Sequence, residues 1–98
     1  MKPCKRIEIV IEETLTRRMA QVLEAQGAPG YTLIPRASGQ GDRGARRADD
    51  PTGTLTNAVF IIATDDDALL EQIVESVRPL LERSGGICLV SDALWVRH

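Results

Sequence analysis

Residues 37–54, ASGQGDRGARRADDPTGT, hold four of the chain's eight glycines, three arginines and three aspartates, with no large apolar side chain among them. Glycine lets backbone N–H groups close around oxygens, and arginine presents a planar, permanently charged fork that matches phosphate or carboxylate. The chemistry this composition offers is anion binding. The run SGQGDRG at residues 38–44 is not a Walker loop, because no GK[ST] follows and no helix begins there. Nor is it a dinucleotide fingerprint, since it lies between two expected strands rather than between a strand and a helix. Read locally, the stretch is either an anion site or a flexible, charged connection.

A second glycine pair, Gly85 and Gly86, precedes the last apolar run, with Trp95 and Arg97 beyond it. Trp95 could stack on a base and Arg97 could hold a phosphate. The alternative is an interfacial indole and a solvated guanidinium. Catalysis finds little support. The lone histidine, His98, is terminal, and Ser38, Ser76, Ser84 and Ser91 have no adjacent base. Glu12 with Glu13 reads as a solvated strand end, and Asp65, Asp66 and Asp67 as a helix cap. Metal-like spacing is lacking, and Cys4 and Cys88 read as two reduced, structural thiols, although a redox pair stays open.

The elements that must position these groups follow from periodicity. Ile7, Ile9 and Ile11 alternate with Glu8, Val10 and Glu12, which predicts a half-buried strand. Thr14 offers an N-cap, Leu15, Met19, Val22 and Leu23 recur at helical spacing, and Gly27 supplies the stop. Residues 31–36 form a second strand, with Pro35 implying an edge. A third strand covers residues 55–64, dense in Val59, Phe60, Ile61 and Ile62. The aspartates then begin a helix carrying the stripe Leu69, Leu70, Ile73, Val74, Val77, Leu80 and Leu81, with a kink or break expected near Val77 because of Pro79. Residues 87–90 form a short fourth strand, and residues 94–97 a fifth strand or an ordered tail. The order βαββαβ predicts an α+β, ferredoxin-like sandwich in one domain, residues 1–98. The third strand is apolar on both sides, which favours a symmetric oligomer that covers the second sheet face.

Net charge of −2 argues against general affinity for nucleic acid. No apolar run approaches the roughly 18 residues that span a bilayer, and the N-terminus lacks a secretory pattern, so a cytoplasmic location is expected.

The order and wording of these pieces resemble the PII signal-transduction family, and more closely its PII-like branch associated with bicarbonate transporters and carboxysomes. The matching stretches are GAPGYTLIPRASGQGDRG at residues 27–44, the strand and helix of residues 55–81, and GGICLVSDALWVR at residues 85–97. The resemblance implies a homotrimer that binds adenine nucleotides in clefts between subunits, with a long T-loop between strands two and three that contacts a protein partner. By position, Thr32 would border the adenine. Gly39, Gln40, Gly41 and Arg43 would form the loop base over the phosphates. Gly85, Gly86 and Ile87 would lie beneath the nucleotide, Arg97 would hold a phosphate, and Trp95 would stand beside it.

There are departures. The family places a lysine, next to a glycine, where this chain has Gly86, and an arginine where it has Trp95. Two cationic contacts are missing, which favours ADP or AMP over ATP. The T-loop tyrosine of classical members is absent, since Tyr31 precedes strand two. The resemblance also implies bicarbonate as a co-ligand, with Ser38, Gly39, Gln40, Gly41, Arg43 and Arg46 as its candidate contacts. Residues 39–43 then form the base of the loop and residues 44–53 its partner-facing tip. The reading is a non-enzymatic regulator of inorganic carbon uptake or the carboxysome, acting through a transporter or carboxysome-related partner and peripheral at the membrane if that partner is there. A small ferredoxin-like phosphohydrolase and a ligand-free structural trimer are the other classes open to this sequence.

Overall fold

The computed structural model describes residues 1–41, 44–46 and 56–96. The alternating isoleucines lie on strand β1 (Lys2–Glu12), where Ile7, Ile9 and Ile11 are fully buried. Each buried side chain of this size contributes about 1.5–3 kcal/mol. A 3₁₀ turn (Glu13–Leu15) leads into α1 (Thr16–Ala25), followed by β2 (Thr32–Ala37) and a small hairpin of β3 (Gly39–Gly41) and β4 (Gly44–Arg46). Strand β5 (Asn57–Thr64), helix α2 (Asp67–Ser84) and β6 (Ile87–Trp95) complete the order.

The main sheet runs β2-β5-β1-β6 and is antiparallel throughout, which is the ferredoxin-like arrangement expected from the sequence. Met19 and Leu23 of α1 and Ile73, Val77 and Leu80 of α2 close one sheet face over Ala58, Phe60, Ile62 and the three isoleucines. Asp66 caps α2 as the aspartate run implied, its carboxylate accepting from the Leu69 N–H at 3.1 Å. Such a cap is worth about 1 kcal/mol. Gly27 (φ 75°) follows α1 and Gly85 (φ 73°) ends α2, both in the left-handed region where glycine costs nothing sterically.

Four expectations change. Thr14 is exposed within the 3₁₀ turn and caps nothing; α1 begins at Thr16, whose hydroxyl donates to the Glu13 carbonyl at 2.7 Å. Pro79 does not break α2, which continues through it. The proline sits on the exposed side, where a helix can bend away from a missing hydrogen bond. The two short C-terminal strands are one. Ser91 and Asp92 stay in the ladder, Ser91 opposite Arg6 and Asp92 opposite Lys5, with which it forms an exposed ion pair. Glu13 is also more than a solvated strand end. Its N–H donates to the Thr56 carbonyl at 2.9 Å, and its carboxylate accepts from the fully buried Thr56 hydroxyl, clamping the start of β5.

The register also closes the question of the cysteines. Cys4 faces Ala93 across the ladder and Cys88 faces Ile9, five positions further along β1. At about 3.4 Å per residue they lie ~17 Å apart, beyond the ~7 Å Cα separation a disulfide tolerates. Both are free within the chain.

On the other sheet face, Ile34, Val59, Val10 and Ile87 form one row across all four strands. Ile34 is 45% exposed and Ile87 50%. Replacing Pro79 with alanine restores a backbone donor and removes the clash with the carbonyl four residues back. We expect P79A to gain about 1–3 kcal/mol in urea unfolding.

Candidate functional site

The candidate residues fall into two groups. Thr32 begins β2 opposite Ile61, near the middle of the sheet, and Trp95 ends β6 opposite Lys2, at one end of it; both line a groove of about 570 Å³. Pro29, Gly30, Tyr31 and Thr32 form one wall, and Ile61, Ala63 and Thr64 line it from β5. Asp65, Asp66 and Leu69 belong to the start of α2, and Trp95 closes the groove from β6. The Tyr31 ring tilts at 56° against Phe60, 5.3 Å between centroids, which anchors that wall to the core. Asp65 pairs with Lys2 at 2.6 Å, and this hydrogen-bonded ammonium holds its carboxyl below the ordinary 3.8. Asp65 is therefore ionised at neutral pH. Half-buried Ile61 and Ala63 beside a half-buried indole offer flat apolar contact, and the carboxylate accepts N–H or O–H donors. The negative charge disfavours a phosphate here.

The opposite end holds Gly39, Gln40 and Gly41 on β3 and Gly85, Gly86 and Ile87 at the start of β6. Gly39 lies against β5: a Cβ there would stand 3.3 Å from Asn57 Nδ2. Ser38 is exposed between β2 and β3. Gly41 pairs with Gly44, Gln40 with Ala45 and Gly39 with Arg46. Residues 44–46 therefore belong to the base of the loop rather than to its tip, a revision of the division at Arg43. Arg46 stands opposite Gly39, which brings it to the same place as the glycines. Arg43 and Arg97 lie outside the described residues, as do residues 47–53 of the expected tip.

The glycine pair has a structural reason of its own. The Gly85 N–H donates to the Leu81 carbonyl at 2.9 Å, and the Gly86 N–H to Ser84 Oγ at 3.3 Å. A Cβ on Gly86 would come within 2.7 Å of the Val10 carbonyl oxygen and 3.0 Å of Leu81 Cδ2. Only glycine lets the α2–β6 turn approach β1 so closely.

Tyr31, Ile61, Ala63 and Asp65 were not among the candidate ligand contacts read from the sequence. The period of two in β5 already put Ile61 and Ala63 on its second face, but which end of the sheet they share with Trp95 needs the register. Among the described residues, no group of three or more His, Cys, Asp or Glu could hold a metal ion. Burial pushes the Cys88 thiol up, so it is protonated at neutral pH and a poor nucleophile. No helix among the described residues is long and apolar enough to cross a membrane.

A family model described as nitrogen regulatory protein P-II matches residues 4–98. Among solved structures the chain is similar to CPII, a nitrogen regulatory PII-like protein from Thiomonas intermedia K12, bound to ADP, AMP and bicarbonate. Identity is 26% and the TM-score 0.82, over 97% of this chain and 90% of that one. A PII-like signalling protein from Thermus thermophilus shares the fold at 22% identity and TM-score 0.78, covering 98% of this chain and 92% of that one. CutA1 from Oryza sativa shares it at 15% and 0.68, covering 98% and 84%.

The contact geometry at Gly86 predicts that G86A loses about 1–3 kcal/mol by overpacking against rigid backbone. Chemical unfolding without any ligand measures this.

Proposed function

Because the chain belongs to the nitrogen regulatory protein P-II family, whose model covers residues 4–98, we propose that it is a non-enzymatic regulator. It binds ADP or AMP between neighbouring copies of a homotrimer, with bicarbonate as co-ligand. The observation that carries this reading is the separation of the two candidate groups. From Ile87 to Trp95, β6 runs eight residue steps, about 27 Å at strand spacing. One chain cannot close both groups on one nucleotide. A neighbouring copy that contributes its opposite end can.

Charge orders the ligand within that cleft. The groove with Trp95, Thr32 and ionised Asp65 suits a nucleoside, flat and rich in donors. The glycine-rich hairpin, with Arg46 opposite Gly39, suits the phosphates and a small planar anion, and the resemblance adds Arg43 to that set. CPII, at 26% identity, was solved with ADP, AMP and bicarbonate, which supports the same ligand set here. Trp95 and Gly86 stand where the family has cations, so a triphosphate gains less than a mono- or diphosphate. The apolar row of Ile34, Val59, Val10 and Ile87 supplies a face for the trimer contact. Ligand at the base orders the loop that follows and alters the surface shown to a transporter or carboxysome-related partner, an order–disorder switch. A partner at the membrane would bring this chain there peripherally.

Calorimetry with AMP, ADP, ATP and cyclic AMP, with and without bicarbonate, tests the reading. AMP or ADP should bind, and bicarbonate should tighten the nucleotide by the same factor by which the nucleotide tightens bicarbonate. Melting temperature should rise with concentration of each ligand that binds the native state. Absence of adenine-nucleotide binding at millimolar concentration would sink the proposal.

A further inference from the structure

Strand β2 carries one residue too many for its partner. Ile34 stands opposite Val59 and Ala37 opposite Asn57, so three steps along β2 match two along β5. Pro35 and Arg36 form the resulting bulge. Proline, which has no N–H to donate, is tolerated at such a place on an edge strand. Arg36 has φ 58°, the sole non-glycine residue with positive φ among those described. A left-handed residue in a bulge is ordinarily glycine, since a Cβ crowds the following carbonyl. Keeping arginine there stores backbone strain at the junction between the sheet and the Gly39–Gly41 strand.

The consequence is geometric. Side chains alternate along a strand with a period of two, so one inserted residue inverts every position that follows. Ala37, and not Arg36, takes the place opposite Asn57, and Gly39 then comes against Asn57 Nδ2. We propose that Arg36 is a positioning residue whose left-handed backbone aims the Gly39–Gly41 strand toward the phosphate end of the ligand. This rests on the nucleotide-binding reading above.

The test uses the full chain with Arg36→Gly, Arg36→Val, Arg36→Lys and deletion of Arg36. Melting temperatures without ligand report the backbone. At an ordinary strand position valine is favoured over glycine; here Arg36→Gly should melt above Arg36→Val by about 4 °C or more. The opposite order overturns the proposal. Calorimetry with ADP and with adenosine reports the aim. Arg36→Val and the deletion should each weaken ADP at least tenfold while adenosine, which lacks phosphate, moves less than twofold. Arg36→Gly should bind ADP at least fivefold more tightly than Arg36→Val. A purely structural role would weaken both ligands alike, and that result overturns the proposal. So does loss of ADP in Arg36→Gly with retention in Arg36→Lys, which assigns the effect to charge. Where the deletion does not fold, Arg36→Val carries the measurement. A parent chain that binds neither ADP nor adenosine overturns the site reading and Arg36's part in it, while the melting order decides separately whether the bulge is strained.

Discussion

The register of β1 is the constraint on which the rest of this structure depends. Among the described strands it alone is paired along nearly its whole length on both sides, with β5 and with β6. A slip of one residue would carry Ile7, Ile9 and Ile11 from the helix-covered face to the open one. Several kcal/mol of lost burial therefore hold the register. The same register places Trp95 beside Lys2 at one end of the sheet and Ile87 beside Val10 at the other. The core sets the distance between the two ends of β6, and so between the two halves of the candidate site.

Two unmet needs of the isolated chain then have one answer. The apolar row on the open sheet face exposes Ile34, Ile87 and, one row over, Leu89 at 55%. An exposed row of this kind asks for cover. The candidate ligand groups at the two ends need completion by groups a single chain cannot bring to them. In the proposed trimer a copy docked against the open face supplies both. Polar residues fit this arrangement: Glu8 lies in the row next to the apolar one, between Ile61 and Leu89, and pairs with Arg6 at 3.3 Å. An ion pair on the face being covered limits the bare negative charge brought into the contact.

Much of the fold was legible because its signals are local. The isoleucine alternation, the helical stripes, the Asp66 cap and the glycine stops each lie within one element. What was not legible depends on partners distant in sequence. Thr14 is the right type of residue for a cap, but the Glu13–Thr56 clamp shifts the helix start to Thr16. Pro79 is a sound helix breaker by propensity, yet its exposed side lets α2 continue while Ile73, Val77 and Leu80 hold the buried face. Ser91 and Asp92 fall between the two expected C-terminal runs, and only the pairing with Arg6 and Lys5 of β1 shows one continuous strand. For the candidate site, the glycine-rich and terminal pieces were visible as residues. The groove around Tyr31, Ile61 and Asp65 was not, because only the β2–β5 register brings those residues together. Gly86 shows the reverse case: a glycine that the family resemblance assigns to a ligand has a steric reason in the Val10 carbonyl.

The hairpin at the loop base refines how the proposed anion would be held by Gly39–Gly41. An open nest would leave every amide free, whereas β3 pairs with β4. In an antiparallel pair, residues alternate between exchanging both backbone hydrogen bonds with the partner and directing N–H and C=O away from it. Three residues of β3 therefore always include at least one with its N–H turned outward. Two of the three are glycines, so no Cβ at Gly39 or Gly41 bars the approach of an oxygen. Gly39 pairs with Arg46 in the ladder, which puts a cationic residue type level with one of those amides. A small planar anion needs no more than one or two such N–H groups and a guanidinium nearby. The pairing gives up part of the amide supply and gains a defined direction for what remains. That direction is inherited from β2 through the bulge at Pro35 and Arg36, and a free loop of the same composition would lack it.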